Sequence, residues 1–129
     1  MNQKERMLNG LPYKAWLDGL SEERMETKLK VYDYNLCRPD NKEEMKKIIK
    51  SIIGKTGEEI HIEQPFRCDY GSNIEVGENF YSNYNCIMLD VGKITIGKNV
   101  MFAPNVSIYT AGHPIHPQSR NSGYEYGIP

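Results

Sequence analysis

One pattern is written twice between residues 76 and 108, and the second copy follows the first by 20 residues. Both copies contain Gly-x-Asn, at 77–79 and again at 97–99. Within each copy a small or apolar residue returns at every sixth position: Val76, Ser82, Met88, then Ile96, Phe102, Ile108. A six-residue period fits neither an α-helix nor the alternation of a single strand. It predicts a solenoid whose coils have three short flat faces.

The spacing also predicts the coil length and its corners. Three six-residue faces make a coil of about 18 residues, so two extra residues between Met88 and Ile96 would extend one corner and give the observed repeat. Gly and Asn tolerate positive φ, which suits the Gly-x-Asn pieces to corners. Inward positions must hold small or aliphatic side chains, and six residues fit: Val76, Cys86, Ile96, Val100, Val106 and Ile108.

Residues 1–55 have a different character and are predicted to form a helical N-terminal segment, followed by coils over residues 56–129. Ser21 can cap a helix whose apolar positions are Met25, Leu29 and Tyr32. A weaker pattern predicts a short helix around Arg6 to Leu8. The fold class is therefore mainly β, with helices first and coils after.

A second long helix is predicted to start after Pro39. Asp40 and Glu43 have the spacing of a capping box, and Gly54 is placed to end the helix. Between them, one apolar face recurs at helical spacing: Met45, Ile48, Ile49 and Ile52. The Lys- and Glu-rich opposite face is predicted to be a solvated surface.

Composition excludes several classes of protein. The formal net charge is −1 and the basic residues are scattered, which argues against nucleic-acid binding. No apolar run approaches the ~18 residues of a membrane span, and residues 1–6 lead into no apolar signal core. Cys37, Cys68 and Cys86 are too few and too scattered for a disulfide framework, which predicts a reducing, cytoplasmic location.

Four sequence blocks in register resemble a known family. They are Phe66–Gly71, Asn79–Asn83, Met88–Asp90 and Tyr109–Pro114. Together they look like the maltose, galactoside and nodulation O-acetyltransferases of the hexapeptide-repeat superfamily. The maltose branch is the more similar, because Phe66–Gly71 and Arg120–Gly123 stand much as they do there.

The resemblance implies a fold, a reaction and an assembly. The fold would be a left-handed parallel β-helix, preceded by the helical segment. The reaction would move an acetyl group from acetyl-CoA, as co-substrate, to a hydroxyl of a sugar by direct transfer, without an acyl-enzyme. Members are homotrimers whose active sites lie between neighbouring solenoids, so the expected partners are the sugar acceptor, acetyl-CoA and two further copies of the chain.

His113 matches the family's catalytic base. A sugar hydroxyl is a poor nucleophile at neutral pH, so a group must take its proton while it attacks the thioester. Imidazole titrates near neutrality and can accept that proton, a contribution of ~10²–10⁴-fold in rate. The alternative is that His113 is an ordinary loop residue beside Pro114.

Four further positions carry over from the resemblance. Asn83 matches a residue beside the acetyl-CoA thioester and the acceptor, although it could instead be a corner residue like Asn79, Asn85, Asn99 and Asn105. Asp69 occupies an acceptor-contacting position. Asp90 could contact the acceptor, orient a histidine, or simply cap a turn. Tyr81, like Tyr84, could stack on a sugar ring or pack between subunits.

A metal site is not expected. His116, followed by Pro117, stands three residues after His113, and His61 is distant in sequence. Zinc needs three or four ligands in fixed geometry. No metal cofactor is therefore predicted.

Three departures from the family pattern leave the acceptor and the activity open. Val91 stands where the galactoside branch has an acidic residue, and Ala15 or Leu17 stands where relatives have another, with Asp18 nearby. The resemblance also implies several coils beyond Pro129, which carry most contacts to CoA. The alternative hypothesis is a non-catalytic solenoid stub that only associates with itself or with a longer relative.

Overall fold

The computed structural model describes residues 1–116, 118 and 121–129, so Pro117 and Arg120, both named above, lie outside the described residues. Three α-helices come first: α1 (Gln3–Leu8), α2 (Leu20–Leu36) and α3 (Lys42–Ile52). The strands are β1 (Tyr13–Lys14), β2 (Ile60–Ile62), β3 (Phe66–Cys68), β4 (Ile74–Val76), β5 (Phe80–Ser82), β6 (Cys86–Leu89), β7 (Ile94–Ile96), β8 (Met101–Phe102), β9 (Ser107–Tyr109), β10 (Ala111–Gly112) and β11 (Tyr124–Gly127). The predicted order, helices and then short strands, is confirmed.

The short helix predicted near the N-terminus is α1. The Asn2 side chain accepts the Glu5 N–H at 2.8 Å, and the Glu5 carboxylate accepts the Asn2 N–H at 3.2 Å. This capping box satisfies two donors that a helix start leaves unpaired. Met7, which the helix buries completely, anchors it to the rest of the fold.

The predicted apolar face of α3 is confirmed. Met45, Ile49 and Ile52 are buried, and Ile48 packs half-buried against the same core. The predicted cap is wrong by one residue, because Asn41 rather than Asp40 accepts the N–H of Glu44. Gly54 follows the helix, but a Cβ there would lie 2.3 Å from the carbonyl oxygen of Ser72, so close packing requires the glycine.

The predicted apolar face of α2 is wrong. Met25, Leu29 and Tyr32 are 54%, 59% and 63% exposed, and the buried stripe is instead Leu20, Thr27, Val31 and Tyr34. Thr27 donates to the carbonyl of Tyr70 at 2.9 Å, and the Tyr34 hydroxyl donates to that of Ile62. These hydrogen bonds to the coil backbone let a stripe with two polar members be the buried one.

The cap predicted for α2 is also wrong. The residue before the helix is Gly19, with φ at 80°, and no side chain caps the first turn. Ser21 lies inside the helix, where its hydroxyl accepts from Arg24 at 3.3 Å. The turn entering the helix needs a left-handed residue, and glycine supplies it without a steric penalty.

Three parallel sheets form the coils, in the orders β2-β5-β8, β3-β6-β9 and β4-β7. Every pair joins residues 20 positions apart, as in Ile60↔Phe80, Phe66↔Cys86 and Ile74↔Ile94. The chain therefore visits the three sheets in turn, once per 20-residue repeat. The predicted extra residues lie at 90–93, in the corner between β6 and β7.

One apolar core joins α2 and α3 to the three parallel sheets. The largest fully buried apolar side chains of the coils are Phe66, Phe80, Ile62, Ile74, Met88 and Cys86. Val76 and Cys86 are buried as predicted, whereas Ile96, Val100, Val106 and Ile108 of the second copy are half-buried. A division into two domains at residue 55 stays a prediction.

The corners confirm one half of the Gly-x-Asn prediction. Asn79, Asn85, Asn99 and Asn105 all have positive φ, between 57° and 64°. Gly77 does not, and a Cβ there would lie 2.7 Å from the carbonyl carbon of Gly97. Asparagine therefore makes the turn, and Gly77 lets two successive coils approach closely.

A small antiparallel sheet closes the side of the coils. β11 lies between β1 and β10, with Tyr13 paired to Glu125 and Gly112 paired to Tyr126. No sequence pattern indicates this sheet, because its strands are far apart along the chain. It joins residues 13–14 of the N-terminal segment, through β11, to the sheet whose other outer strand, β10, leads into His113.

Candidate functional site

A pocket of about 230 Å³ lies where the N-terminal segment, two coil corners and the antiparallel sheet meet. Asp69 is the predicted site residue that lines it, and Ala15 and Val91, two of the family departures, also line it. The remaining lining residues are Tyr13, Arg24, Tyr70, Leu89, Ala111 and Glu125. The charged side chains of Asp69, Arg24 and Glu125 thus line a pocket that a small molecule can enter.

The Asp69 carboxyl is electrostatically unusual. Burial, the nearby Asp90 carboxylate and, more weakly, Glu125 raise its pKa to about 6, and Arg24 partly opposes them. Since burial and like charges both disfavour the ionised form, Asp69 changes charge close to neutral pH. A carboxyl in that state can exchange hydrogen bonds with hydroxyl groups.

Arg24 lines the same pocket, although it is not among the predicted site residues. Its guanidinium donates to the Tyr70 hydroxyl at 2.7 Å and to the carbonyl of Ala15 at 2.9 Å. It also lies 5.8 Å from the centre of the Tyr70 ring. These contacts fix a positive charge beside Asp69, and no motif or periodicity in the sequence marks the position.

Asp90 is completely buried, and its carboxylate accepts backbone N–H groups. One oxygen accepts from Tyr70 at 2.9 Å and from Asp69 at 3.1 Å, and the other accepts from Asn73 at 3.2 Å. Burial raises its pKa, and the backbone hydrogen bonds oppose the rise. The geometry favours the turn-capping alternative for Asp90 over direct contact with an acceptor.

Asn83 and Tyr81 lie at the outer surface of another sheet, β2-β5-β8. Asn83 is half-buried and lacks the positive φ of the four corner asparagines. Its side-chain oxygen accepts the N–H of Tyr84 at 2.8 Å. Asn83 is therefore not a corner residue of the same kind, and Tyr84 beside it is exposed.

His113 is exposed and directly follows β10, two residues beyond Ala111 of the Asp69 pocket. The next residue, Pro114, lines a second cavity of about 520 Å³ with Pro12, Gln118, Ser122 and Tyr124. Among the described contacts, none joins His113 to Asn83 or Tyr81. One copy of the chain thus brings Asp69 and Asp90 to one corner, and places His113 after β10 and Asn83 after β5.

The described residues contain neither a metal-binding cluster nor a membrane-spanning helix. Residues 1–116, 118 and 121–129 contain no group of three His, Cys, Asp or Glu side chains placed to hold a metal ion. His61 instead pairs with Glu63 at 2.8 Å. No helix in the same ranges is long and apolar enough to cross a bilayer.

Comparisons with known proteins point to one family. Residues 6–57 match the model of the maltose acetyltransferase hexapeptide capping motif. A Dictyostelium discoideum protein named as an acetyltransferase is 47% identical over 129 residues, covering 100% of this chain and 67% of the relative. The chain spans about two thirds of the length of the curated relatives it matches.

Solved structures agree with the sequence relatives. A maltose O-acetyltransferase from Clostridium difficile 630 matches with a TM-score of 0.98 at 52% identity, covering 100% of this chain and 69% of that one. A galactoside acetyltransferase in complex with coenzyme A matches with a TM-score of 0.95 at 37% identity, covering 100% of this chain and 64% of that one.

Proposed function

The chain belongs to the hexapeptide-repeat sugar O-acetyltransferases, an acyltransferase family, and from this premise we propose that it moves an acetyl group from acetyl-CoA to a hydroxyl of a sugar. The observation that carries the proposal is the exposed His113, which directly follows β10, the strand whose Ala111 lines the pocket around Asp69. The coenzyme A bound by the matched galactoside acetyltransferase supports acetyl-CoA as the donor.

His113 is proposed as the general base. The sugar hydroxyl oxygen attacks the thioester carbon, its proton passes to the imidazole, and the carbon–sulfur bond breaks to release CoA as a thiolate. The thiolate then takes a proton, which the imidazolium can supply. Because His113 is exposed, both the acceptor and the donor can reach it.

Asp69 is proposed to bind the acceptor. Its carboxylate can accept hydrogen bonds from two sugar hydroxyls, and Arg24 beside it can donate to a third oxygen. With its pKa raised to about 6, Asp69 gains charge between mildly acidic and neutral pH. Acceptor binding should therefore strengthen over the same range.

Asn83 is proposed to hydrogen-bond the reacting groups, and Tyr81 to contact the sugar ring. These side chains lie on a different sheet from the Asp69 pocket, which supports a site completed by a neighbouring copy. The exposed apolar stripe on α2 (Met25, Leu29, Tyr32 and Leu36) offers a surface for such association. We therefore propose a homotrimer of left-handed solenoids.

Cytoplasmic action is also part of the proposal. The three cysteines are free, and burial raises the pKa of the Cys68 and Cys86 thiols, which suits structural rather than nucleophilic roles. The raised pKa values of these two thiols support direct acetyl transfer, without a cysteine intermediate.

The proposal is tested by incubating the protein with acetyl-CoA and maltose, glucose or a galactoside while free CoA is followed. Sugar-dependent release of CoA that disappears in His113→Ala is the expected result. No release with any sugar, together with no binding of acetyl-CoA by calorimetry, would overturn it. That outcome would favour the association-only alternative.

A further inference from the structure

The outer surface of the β2-β5-β8 sheet carries a second group of polar side chains beside Tyr81 and Asn83. His61 pairs with Tyr81 in the parallel register. The N–H of Glu63 donates to the carbonyl of Ser82 at 2.9 Å, so the pairing continues one residue past β2. Glu63 therefore lies beside Asn83, one coil away.

Two contacts link these side chains in series. The Nε2 atom of His61 lies 2.8 Å from a carboxylate oxygen of Glu63. The imidazole in turn stacks on the Tyr81 ring, with 5.7 Å between ring centres and 14° between planes. Glu63 thus fixes the imidazole, and the imidazole restricts the orientation of the Tyr81 ring.

Neither His61 nor Glu63 is needed to fill the core. Their side chains are 39% and 28% exposed, whereas Ile60 and Ile62 of the same strand point inward and are buried. Alternation along a strand separates these two roles. The polar pair therefore organises the surface that surrounds Tyr81 and Asn83.

We propose that the His61–Glu63 pair positions the Tyr81 ring for the sugar acceptor. The inference rests on the proposed function, because it takes Tyr81 and Asn83 as acceptor-facing. A sugar presents a flat face of C–H groups that an aromatic ring can cover, together with hydroxyls that an amide such as Asn83 can bind. A ring held in place before binding loses less conformational freedom on contact, and affinity rises accordingly.

The kinetic test separates positioning from folding. His61→Ala should raise the acceptor KM by about 2- to 10-fold, the effect expected from one aromatic stack. Glu63→Gln should raise it less, since the imidazole stays present. His61→Phe should reverse most of the rise in the acceptor KM, because it keeps a stacking ring and loses only the contact with Glu63. The acetyl-CoA KM, kcat and the thermal midpoint should stay near the wild-type values.

A double-mutant cycle gives the decisive comparison. In a Tyr81→Ala background, His61→Ala should no longer change the acceptor KM, because no ring remains to be positioned. Thr95→Ala is the matched control, because Thr95 is an exposed residue on the strand β7. It should leave the acceptor KM unchanged. An equal rise in KM with and without Tyr81, or no rescue by His61→Phe, overturns the inference.

A binding measurement distinguishes failure of this inference from failure of the proposed function. Calorimetric titration with maltose or a galactoside is compared for wild type and His61→Ala. If wild type and His61→Ala transfer acetyl with the same acceptor KM, only the positioning role is wrong. If His61→Ala weakens sugar binding but the wild-type protein transfers no acetyl group, only the proposed transferase activity is wrong. If wild type neither binds sugar nor transfers acetyl, both are wrong.

Discussion

Helices α2 and α3 pack together and against neighbouring strands of the coils, yet they use their apolar residues differently. The helix α3 has one apolar stripe, and that stripe is buried. The helix α2 has two stripes, of which one is buried and the other, which includes Met25, Leu29 and Tyr32, is exposed. The helix α2 also supplies Arg24 to the Asp69 pocket. The two helices therefore differ in that α2 leaves a second stripe, an apolar one, exposed, whereas the one apolar stripe of α3 is buried.

The buried stripe of α3 should show the largest effect on stability. Ile49→Ala removes a side chain that is 1% exposed, and should lower the free energy of unfolding by about 3 kcal/mol through lost burial and a cavity. Urea denaturation followed by circular dichroism measures it. If Ile49→Ala lowers the free energy of unfolding no more than a substitution of the exposed Leu29 does, the proposed difference between the buried stripe of α3 and the exposed stripe of α2 is wrong.

The buried stripe of α2 depends on hydrogen bonds as well as on apolar contact. Tyr34→Phe deletes the hydroxyl that donates to the Ile62 carbonyl and leaves that buried acceptor unpaired. The free energy of unfolding should fall by about 1–2 kcal/mol. Tyr32→Phe on the exposed stripe is the matched control, and equal losses in the two variants would refute the assignment of stripes.

The pocket beside α2 should give a smaller, pH-dependent effect. The pKa of Asp69 rises from 3.8 to about 6 on folding, so the native state holds this proton more tightly than the unfolded state. Stability contributed by that proton is lost as pH rises between these values. Asp69→Asn should therefore stabilise the protein above pH 6 by about 1 kcal/mol, after allowance for solvent screening, and change little below pH 3.8.

Thermal unfolding across a pH series measures this difference for wild type and Asp69→Asn. Asp18→Asn, a carboxyl outside the pocket, provides a comparison. A stabilisation by Asp69→Asn that is the same at every pH would show that the buried charge is not its cause.

The exposed stripe of α2 should show the smallest effect on folding. Leu29→Ser should change the free energy of unfolding of a single copy by less than about 0.5 kcal/mol, because the side chain is already exposed. It should nevertheless weaken self-association, which sedimentation velocity over a range of concentrations can detect. Unchanged association would mean that this stripe does not form the interface.

The coils were predictable because their repeat is written in the sequence. The 20-residue interval, the extra residues near Asp90 and the turns at Asn79 and Asn99 all follow from local spacing. The buried stripe of α2 was not predictable, because apolar spacing favours the exposed face with Met25, Leu29 and Tyr32. The buried face is stabilised by hydrogen bonds from Thr27 and Tyr34 to the coils. Local sequence cannot show such long-range partners.

The candidate site likewise contains residues that the sequence marks and residues whose place depends on long-range contacts. His113, Asn83 and Asp69 stand in sequence blocks that mark them, and their roles stay predictions. Arg24 had no local signal, since its importance comes from Tyr70 and Ala15, which reach it only after folding. The burial of Asp90 likewise depends on a turn 17 to 21 residues earlier in the chain.

Transfer of a labelled acetyl group from acetyl-CoA to the sugar tests the central claim most directly. His113→Ala should slow it by ~10²–10⁴-fold, since proton removal from the hydroxyl then depends on water. His116→Ala, an exposed histidine three residues further along, should leave the rate unchanged. Equal transfer by wild type and His113→Ala would contradict the account of this site.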